Sequence, residues 1–311
     1  MKKNMLFGFL LSTGFALLVP IVPTLAAKEV KASAPFESTG EGPVYYVDYA
    51  SFQGLDNKTY VEFYIQVGYR DLQFYKNGKR FEAGYDLDFA LLDEQGKSVE
   101  SYQTDDRFQV DTFAQTLSRQ KARILLLGFT VEPGSYTVKS TLKDRETRKS
   151  TRIHQPCSVQ NFTSKDLQIS DIQLSQKIEP GEDGQPYVKN RRYIEPNAVR
   201  IFAHGLADIY VYFEIYNLIE PDLKESTNYL AHFIIKDQDG KQFAHLKRSH
   251  PKPGVTSAHS IRLPVSHFLN GRYSLIVRIE DEDTGRVTES SKAFTVLDRP
   301  LSMSEFSPEN L

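Results

Sequence analysis

Short segments in which apolar and polar residues alternate recur along most of the chain and constrain the fold more than any other feature. Tyr60–Val67 and Tyr85–Leu91 alternate in this way, and so does Asp208–Ile215 in the second half. A period of two residues places alternate side chains on one face of a β-strand, so each segment predicts a half-buried strand. Turn-forming residues separate the segments. The sequence therefore predicts an all-β protein.

The strand pattern occurs twice in the same order, which indicates two copies of one domain. Each copy has several short strands separated by turns, as in an immunoglobulin-like or fibronectin-like sandwich. We therefore predict two tandem antiparallel β-sandwiches of that type. The matched pairs are the Val61 strand with Asp208–Ile215, Phe89–Lys97 with Phe233–Lys241, Gly134–Val138 with Gly271–Val277, Asp144 with Asp281, and Thr147 with Thr284.

Two segments depart from the alternating pattern. Ile124–Val131 is a dense apolar run, which predicts a strand buried on both faces or at the centre of a sheet. Phe108–Leu117 is the nearest approach to helical spacing, but its β-branched residues leave helix and strand both open.

The N-terminus has the three-part layout of a secretory signal peptide. Lys2 and Lys3 precede the apolar run Met5–Val22, and Ala26 and Ala27 offer small residues for cleavage after either one. An uncleaved membrane anchor is the alternative, since the run approaches spanning length. Cleavage is favoured, with no membrane span remaining, so we expect an exported protein in the periplasm or outside the cell.

The predicted boundaries follow from these patterns and from changes in composition. The segment after the signal peptide is rich in small and turn-forming residues, which indicates a flexible lead-in. The predicted parts are a signal peptide (1–27), the lead-in (28–43), a first sandwich (44–155), a linker (156–166), a second sandwich (167–298) and a C-terminal tail (299–311).

Composition and motifs argue against several functions. Lys and Arg number 38 against 40 Asp and Glu, so no basic excess indicates nucleic-acid binding. Cys157 is the single cysteine, which excludes an internal disulfide. With His154 nearby it could form a nucleophile pair, but a linker or core thiol is favoured because no third residue orients them. No phosphate-binding loop, nucleophile elbow or zinc-protease motif occurs. We expect no enzyme activity and no cofactor.

Three polar segments contain the residue types of binding sites. His245, His250 and His259 flank one turn-rich stretch, but they lack the close spacing of metal ligands, so loop histidines are favoured over a metal site. Asp281–Gly285 suggests calcium, yet its match to the Asp144 loop favours a hairpin turn. The acidic loop Glu179–Pro186 is interpreted as a mobile, solvated insertion.

Two groups of tyrosines are the candidate ligand or partner surface. Exposed rows of this kind stack on sugars or dock a protein, whereas core packing is the alternative and the favoured interpretation for strands. The sequence thus favours a protein-interaction or spacer module with an envelope protein as partner, and a carbohydrate-binding module on polysaccharide as the alternative. The residues are Tyr45, Tyr46 and Tyr49, with Phe52 beside them, and Tyr210, Tyr212 and Tyr216.

The order of these pieces resembles the N-terminal region of bacterial GWxTD-domain proteins. The resemblance lies in Tyr60–Leu72, Asp171–Leu174, Tyr210–Asn217 and the Gly-x-Tyr strand of each copy. It implies an exported protein with two β-sandwich regions, and it carries no known activity over to this chain. The chain contains no Trp, so the Gly-Trp-x-Thr-Asp motif for which the family is named is absent.

Overall fold

The computed structural model describes residues 34–206, 208–218 and 228–298, and this part of the chain is almost entirely β-structure. The predicted signal peptide and C-terminal tail lie outside the described residues. The all-β prediction is confirmed, because four sheets, antiparallel but for one pair of strands, pack in pairs around two hydrophobic cores.

The first sandwich contains ten of the described strands. Its first sheet has the order β1-β3-β4-β8, and its second has β2-β10-β9-β6-β7 with the short β5 also on β6. The strands are β1 (Phe36–Glu37), β2 (Thr39–Gly40), β3 (Tyr45–Gln53), β4 (Thr59–Gly68), β5 (Tyr75–Asn77), β6 (Arg80–Leu92), β7 (Ser98–Val110), β8 (Ala122–Val131), β9 (Gly134–Asp144) and β10 (Ser150–Val159), with a 3₁₀ turn at Tyr69–Asp71 and the helix α1 at Phe113–Thr116.

The second sandwich follows with its own two sheets. Strand β16 lies between β19 on one side and β12 and β11 on the other, while the facing sheet has the order β15-β21-β20-β17-β18. The bounds are β11 (Gln168–Ile169), β12 (Gln173–Pro180), β13 (Val188–Lys189), β14 (Arg192–Pro196), β15 (Ile201–Ala203), β16 (Ile209–Tyr216), β17 (Asn228–Asp237), β18 (Gln242–Pro251), β19 (Thr256–Leu263), β20 (Gly271–Asp281) and β21 (Val287–Leu297), with a 3₁₀ turn at Val265–His267.

The predicted sequence matches fall on strands with the same neighbours in both sandwiches. Strand β4 lies between β3 and β8, and β16 lies between β12 and β19. Strand β9 lies between β6 and β10, and β20 lies between β17 and β21. The two halves therefore share the order of these central strands. The finer immunoglobulin-like or fibronectin-like assignment stays a prediction.

Each core is filled by the alternate side chains that the strands turn inward. In the first sandwich Phe63 of β4 faces Phe89 of β6, with ring centroids 5.0 Å apart. In the second, Phe213 of β16 faces Phe233 of β17 at 6.1 Å. Aromatic pairs of this size bury large apolar areas, which stabilises a sandwich that has no disulfide.

The predicted position of the dense apolar run, buried on both faces or at the centre of a sheet, is wrong. Ile124–Val131 belongs to β8, which forms an edge of its sheet among the described strands. The strand buried on both faces is β4, although its sequence alternates. The reason is that the outer face of this sheet packs against the second sandwich. At the helical candidate, Phe108–Val110 ends β7, and Phe113–Thr116 forms a single helical turn.

Both predicted connectors next to the first sandwich prove to be partly strand. Phe36–Glu37 and Thr39–Gly40 pair with β3 and β10, so the sandwich begins within the predicted lead-in. Strand β10 continues to Val159 and includes Pro156, because its pairing with β9 persists through the predicted start of the linker. Pro156 is tolerated there since β2 pairs only at Thr151 and Arg152, so that none of the described strands pairs with the other side of Pro156.

Candidate functional site at the junction of the two sandwiches

The predicted tyrosine rows are not exposed surfaces. Tyr45, Tyr46, Tyr212 and Tyr216 have at most 2% of their surface accessible, and Tyr49 and Tyr210 are half-buried. Phe52 is buried as well. Tyr45 fills the first core, whereas Tyr212 lies where the sandwiches meet. Packing, the interpretation favoured from the sequence, therefore accounts for Tyr45, Tyr46, Tyr212 and Tyr216, and these four rings form no exposed stacking surface.

An apolar cluster joins the two sandwiches. Ala50, Phe52 and Tyr64 come from the outer face of the first sheet, and Ile194, Ala198 and Tyr212 come from the second sandwich. The rings of Phe52 and Tyr212 are 6.0 Å apart. This contact explains why β3 and β4 carry apolar residues on both faces.

A buried group of charges lies beside this cluster. Asp48 of β3 accepts hydrogen bonds from Arg200 Nε at 2.8 Å and from Lys292 Nζ at 2.9 Å, and a second guanidinium nitrogen of Arg200 completes the pair. Burial alone would raise the pKa of Asp48, but the two cations outweigh it and hold that pKa below its usual range. Burial and the neighbouring guanidinium lower the pKa of Lys292.

Asp171 forms a second polar link between the sandwiches. Its Oδ2 accepts from the backbone N–H of Ser51 at 2.8 Å, and its Oδ1 accepts from Gln160 Nε2 at 2.6 Å. The backbone N–H of Asp171 donates to the carbonyl of Ser51 at 3.1 Å. Nearby, the Gln53 N–H donates to Tyr216 Oη at 3.0 Å. The segment before β12 is thus anchored to β3 by backbone and side-chain bonds together.

The hairpin of residues 181–191, here called the strap, crosses from the second sandwich onto the first. Tyr187 Oη donates to the Ile124 carbonyl at 2.6 Å, and Lys189 Nζ lies 2.6 Å from Glu62 Oε2. Most of the predicted solvated loop is exposed, but the residues that follow it are docked. Tyr187, Asn190 and Arg191 adopt left-handed φ values of 63°, 49° and 56°, a conformation that costs free energy for residues other than glycine.

A cavity of about 170 Å³ lies beneath the strap. Gln173 of β12 lines it and is 1% exposed, and neither its Oε1 nor its Nε2 has a hydrogen-bond partner among the described residues. The other lining residues come from both sandwiches and from the strap. They are Tyr60, Glu62, Leu126, Gln185, Tyr187, Val188, Lys189 and Ile194.

The histidines lie apart from this junction. His259 stacks on Phe213 and bonds to Tyr229 Oη, and burial lowers its pKa to about 4. His232 Nδ1 and His245 Nε2 are 3.1 Å apart. Within residues 34–206, 208–218 and 228–298, no three His, Cys, Asp or Glu residues are grouped so as to hold a metal ion. The same ranges contain no helix of the length and apolarity that crossing a membrane requires.

Cys157 and His154 do not form a catalytic pair. Strand alternation puts Cys157 in the first core and His154 on the exposed face. Burial raises the pKa of the Cys157 thiol to about 12, so the thiol is protonated at neutral pH. Cys157 is therefore a core thiol, one of the two interpretations that the sequence favoured over a nucleophile.

Asp281 lies in a hairpin turn between β20 and β21, as its match to Asp144 predicted. Its carboxylate accepts from the backbone N–H groups of Asp283 and Thr284, as Asp144 does from Glu146 and Thr147. Lys252 Nζ, 2.7 Å away, and Arg286 neutralise it. These interactions hold the pKa of Asp281 at about 2, against the effect of burial.

Sequence reasoning missed the residues that build the junction. Arg200, Lys292, Lys189 and Gln173 carry no motif, and Lys and Arg are ordinarily surface residues. Asp171 stood in a segment that the sequence marked as the entry to the second copy, although only as a structural feature. The apolar residues on both faces of β3 and β4 are a signal that could have revealed the junction. A sandwich whose outer face lies in water would carry polar residues on that face.

Comparison with known proteins adds no family. No protein-family model matches the chain, and no curated protein matches its sequence. Among solved structures, a calcium-binding mutant of Bacteroides uniformis β-glucuronidase 2 is 11% identical over 78% of this chain and 27% of that one, with a TM-score of 0.25. Bacteroides uniformis β-glucuronidase is 14% identical over 75% and 26%, with a TM-score of 0.22. The chain spans about a quarter of these proteins, and at such TM-scores the likeness carries no argument.

Proposed function

We propose that the chain is an exported, non-catalytic protein of the cell envelope that acts as a rigid two-sandwich spacer and presents its exposed loops and strand edges to a protein partner. The observation that carries the proposal is the burial of Asp48, Arg200 and Lys292 between the sandwiches. If the two domains moved freely against each other, this junction would be exposed to water and the three charges would not be held in one arrangement.

In this proposal the buried charges set the relative orientation of the two sandwiches more than they add to the free energy of folding. Buried ion pairs cost desolvation that their attraction offsets only when the geometry is good, and one attested use of buried polar groups is to specify a unique arrangement. Here the charges, the Asp171 anchor and the strap all bridge the same two bodies. Any rotation of one sandwich against the other would leave buried charges unpaired.

The rigidity is tested by measuring a distance between spin labels. Leu55 and Leu269 are 82% and 74% exposed and lie on different sandwiches, so cysteines there accept labels, in a Cys157→Ala background. We expect a single narrow distance distribution that broadens in Asp48→Asn. Asp111→Asn, which removes an exposed partner of Arg80, serves as the control and leaves the distribution unchanged. A broad distribution in the parent protein would refute the rigid-spacer function.

Export is tested separately by expressing the full chain in a bacterium and fractionating the cells. We expect the protein in the periplasm or medium, with its N-terminus at residue 27 or 28. An intact N-terminus on protein that stays in the cytoplasm would contradict the proposal.

The partner is tested by affinity capture from the envelope fraction of the source cells with residues 28–311 as bait. A stoichiometric protein partner, retained by Asp111→Asn and lost when exposed residues of one strand edge are changed, supports docking. Turnover of any substrate by the pure chain would overturn the non-catalytic function. The carbohydrate alternative is not proposed on the tyrosine rows, because those tyrosines are buried.

A further inference from the structure

Two histidines meet on the outer face of the second sandwich. His232 lies on β17 and His245 on the neighbouring strand β18, and their rings stack with centroids 5.3 Å apart. His232 Nδ1 and His245 Nε2 are 3.1 Å apart. His232 points outward because the next residue on β17, Phe233, points into the core. Strand pairing thus brings His245 to a histidine that is not close to it in the sequence.

The separation of the two nitrogens matches that of two ligands on one metal ion. Imidazole nitrogens bind such ions at about 2.0 to 2.1 Å. An ion at that distance from both nitrogens, which are 3.1 Å apart, would have a nitrogen–metal–nitrogen angle of about 95 to 100°. Neighbouring ligands of a tetragonal Cu²⁺ ion lie near a right angle, and Cu²⁺ has the highest affinity of the divalent first-row metals for such ligands. The spacing therefore suits Cu²⁺ with two protein ligands and water at its other positions.

Glu280 of β20 selects the form of His232 that can bind a metal. Its Oε2 lies 3.5 Å from His232 Nε2, a buried atom that forms no hydrogen bond among the described residues. The negative carboxylate favours the proton on Nε2, which leaves a lone pair on Nδ1, the nitrogen that faces His245. A carboxylate behind a metal-binding histidine commonly fixes its tautomer and ring orientation in this way. Glu280 is therefore placed as a positioning residue and not as a ligand.

The charge of the site permits a metal ion but limits its affinity. Burial and the neighbouring Lys247 lower the pKa of His232, and the neutral imidazole is the form that binds metals. One of the two facing nitrogens carries the proton of the N–H···N bond. The metal takes the place of that proton, which moves to the other nitrogen of the same ring. Lys247 and Arg278 are the cations near His232, and their repulsion of a divalent ion weakens its binding.

We propose that His232 and His245 form a Cu²⁺-binding site on the outer face of the second sandwich, with Glu280 holding His232 in its metal-binding tautomer. His245 is exposed, which gives the ion access from solvent. Zn²⁺ binds the same nitrogens more weakly, in the order that imidazole sites follow. The site lies on one sheet of one sandwich, so this inference goes beyond the spacer function and does not depend on it.

Isothermal titration calorimetry with Cu²⁺ tests the site on residues 28–311, which include every described residue, without a histidine tag. We expect saturable binding of Cu²⁺, weaker binding of Zn²⁺ and none of Mg²⁺, which prefers oxygen ligands. His245→Gln is expected to weaken Cu²⁺ binding at least tenfold. His154→Gln changes an exposed histidine of the first sandwich and is the matched control, which keeps the parent affinity. Absence of saturable binding, or equal affinity in the parent chain and His245→Gln, overturns the proposal.

Electron paramagnetic resonance of the copper-loaded chain identifies the ligands. We expect a tetragonal ion with two imidazole nitrogens in the parent chain and one fewer in His245→Gln. Glu280→Gln is expected to weaken copper binding about tenfold while both nitrogens remain, because it disturbs the tautomer and removes no ligand. Unchanged affinity in that variant refutes the positioning role of Glu280. If His245→Gln does not fold, a copper-soaked crystal of the parent chain decides: copper bound to both nitrogens supports the site, and copper bound elsewhere overturns it.

Discussion

Arg200 and Asp48 lie on different sandwiches, and each has only 2% of its side chain exposed. The pair is joined by Lys292, whose Nζ also donates to the Tyr49 carbonyl at 2.8 Å. One carboxylate thus pairs with two cations from the other sandwich, and all three side chains are buried.

Asp48→Asn is expected to lower the free energy of unfolding by about 3 to 5 kcal/mol, because two buried cations lose their counter-ion. Chemical denaturation measures the change. Asp111→Asn breaks the exposed pair with Arg80 and is expected to cost less than about 1 kcal/mol. Equal effects of the two substitutions would show that the junction is hydrated.

Tyr212→Ala is expected to cost about 3 to 5 kcal/mol of stability, since it removes a buried aromatic ring from the junction. Tyr102→Ala changes a ring that is 38% exposed on β7, and we expect an effect within about 0.5 kcal/mol. Urea denaturation of both variants tests the burial of the predicted tyrosine row. A wild-type stability for Tyr212→Ala would restore the exposed-surface interpretation.

His259 is expected to make stability fall as the pH is lowered. Its folded pKa of about 4 lies below the ordinary value of 6.5, because burial and the nearby His250 and Arg192 disfavour the charged ring. The neutral form is thus favoured by folding, and its contribution is complete above pH 6.5 and lost as the pH falls towards 4. Unfolding measured between pH 7 and 4 should show this slope, and His259→Gln should reduce it. The same slope in both proteins would contradict the assignment.

Gly128→Ala is expected to disturb Tyr60. A Cβ atom at residue 128 would lie 2.2 Å from Tyr60 Oη, so the ring that lines the cavity would have to move. Overpacking of this kind costs about 1 to 3 kcal/mol. Gly271→Ala is the control, since its Cβ would meet its nearest neighbour at 3.8 Å. Calorimetry compares the two variants, and a neutral Gly128→Ala would mean that Tyr60 lies elsewhere.

Asp281→Asn is expected to destabilise the chain more than Asp144→Asn. Both residues cap equivalent turns, but only Asp281 neutralises Lys252, whose side chain is 1% exposed, and Arg286. Losing a buried counter-ion costs about 3 to 5 kcal/mol. Asn at position 144 keeps one acceptor oxygen for the turn and loses only the acceptor for the Gln73 N–H, which costs about 1 to 3 kcal/mol. Thermal unfolding of the two variants provides the comparison, and the reverse order would contradict the role of Lys252.

The positions of several strands along the chain were accessible from the sequence. Alternation at Tyr60–Val67 and Asp208–Ile215 reflects a period that the backbone imposes on any strand with one buried face. The turn at Asp281 could also be predicted, because an Asp carboxylate accepts hydrogen bonds from the backbone N–H groups of the residues that follow it in a turn. The buried state of Cys157 was left open by the sequence, since it depends on whether β10 continues into the predicted linker, and pairing with β9 carries that strand to Val159.

What the sequence by itself determined is local: which segments form strands, which residues turn the chain, and that one pattern occurs twice. Tertiary structure alone decided which outer faces meet. That decision buried Tyr212, paired Asp48 with Arg200 across 152 positions of sequence, and left the buried Gln173 amide without a hydrogen-bond partner among the described residues. The physical reason is that burial and pairing of charges depend on the relative placement of two separately folded bodies, and no periodicity within either body encodes that placement.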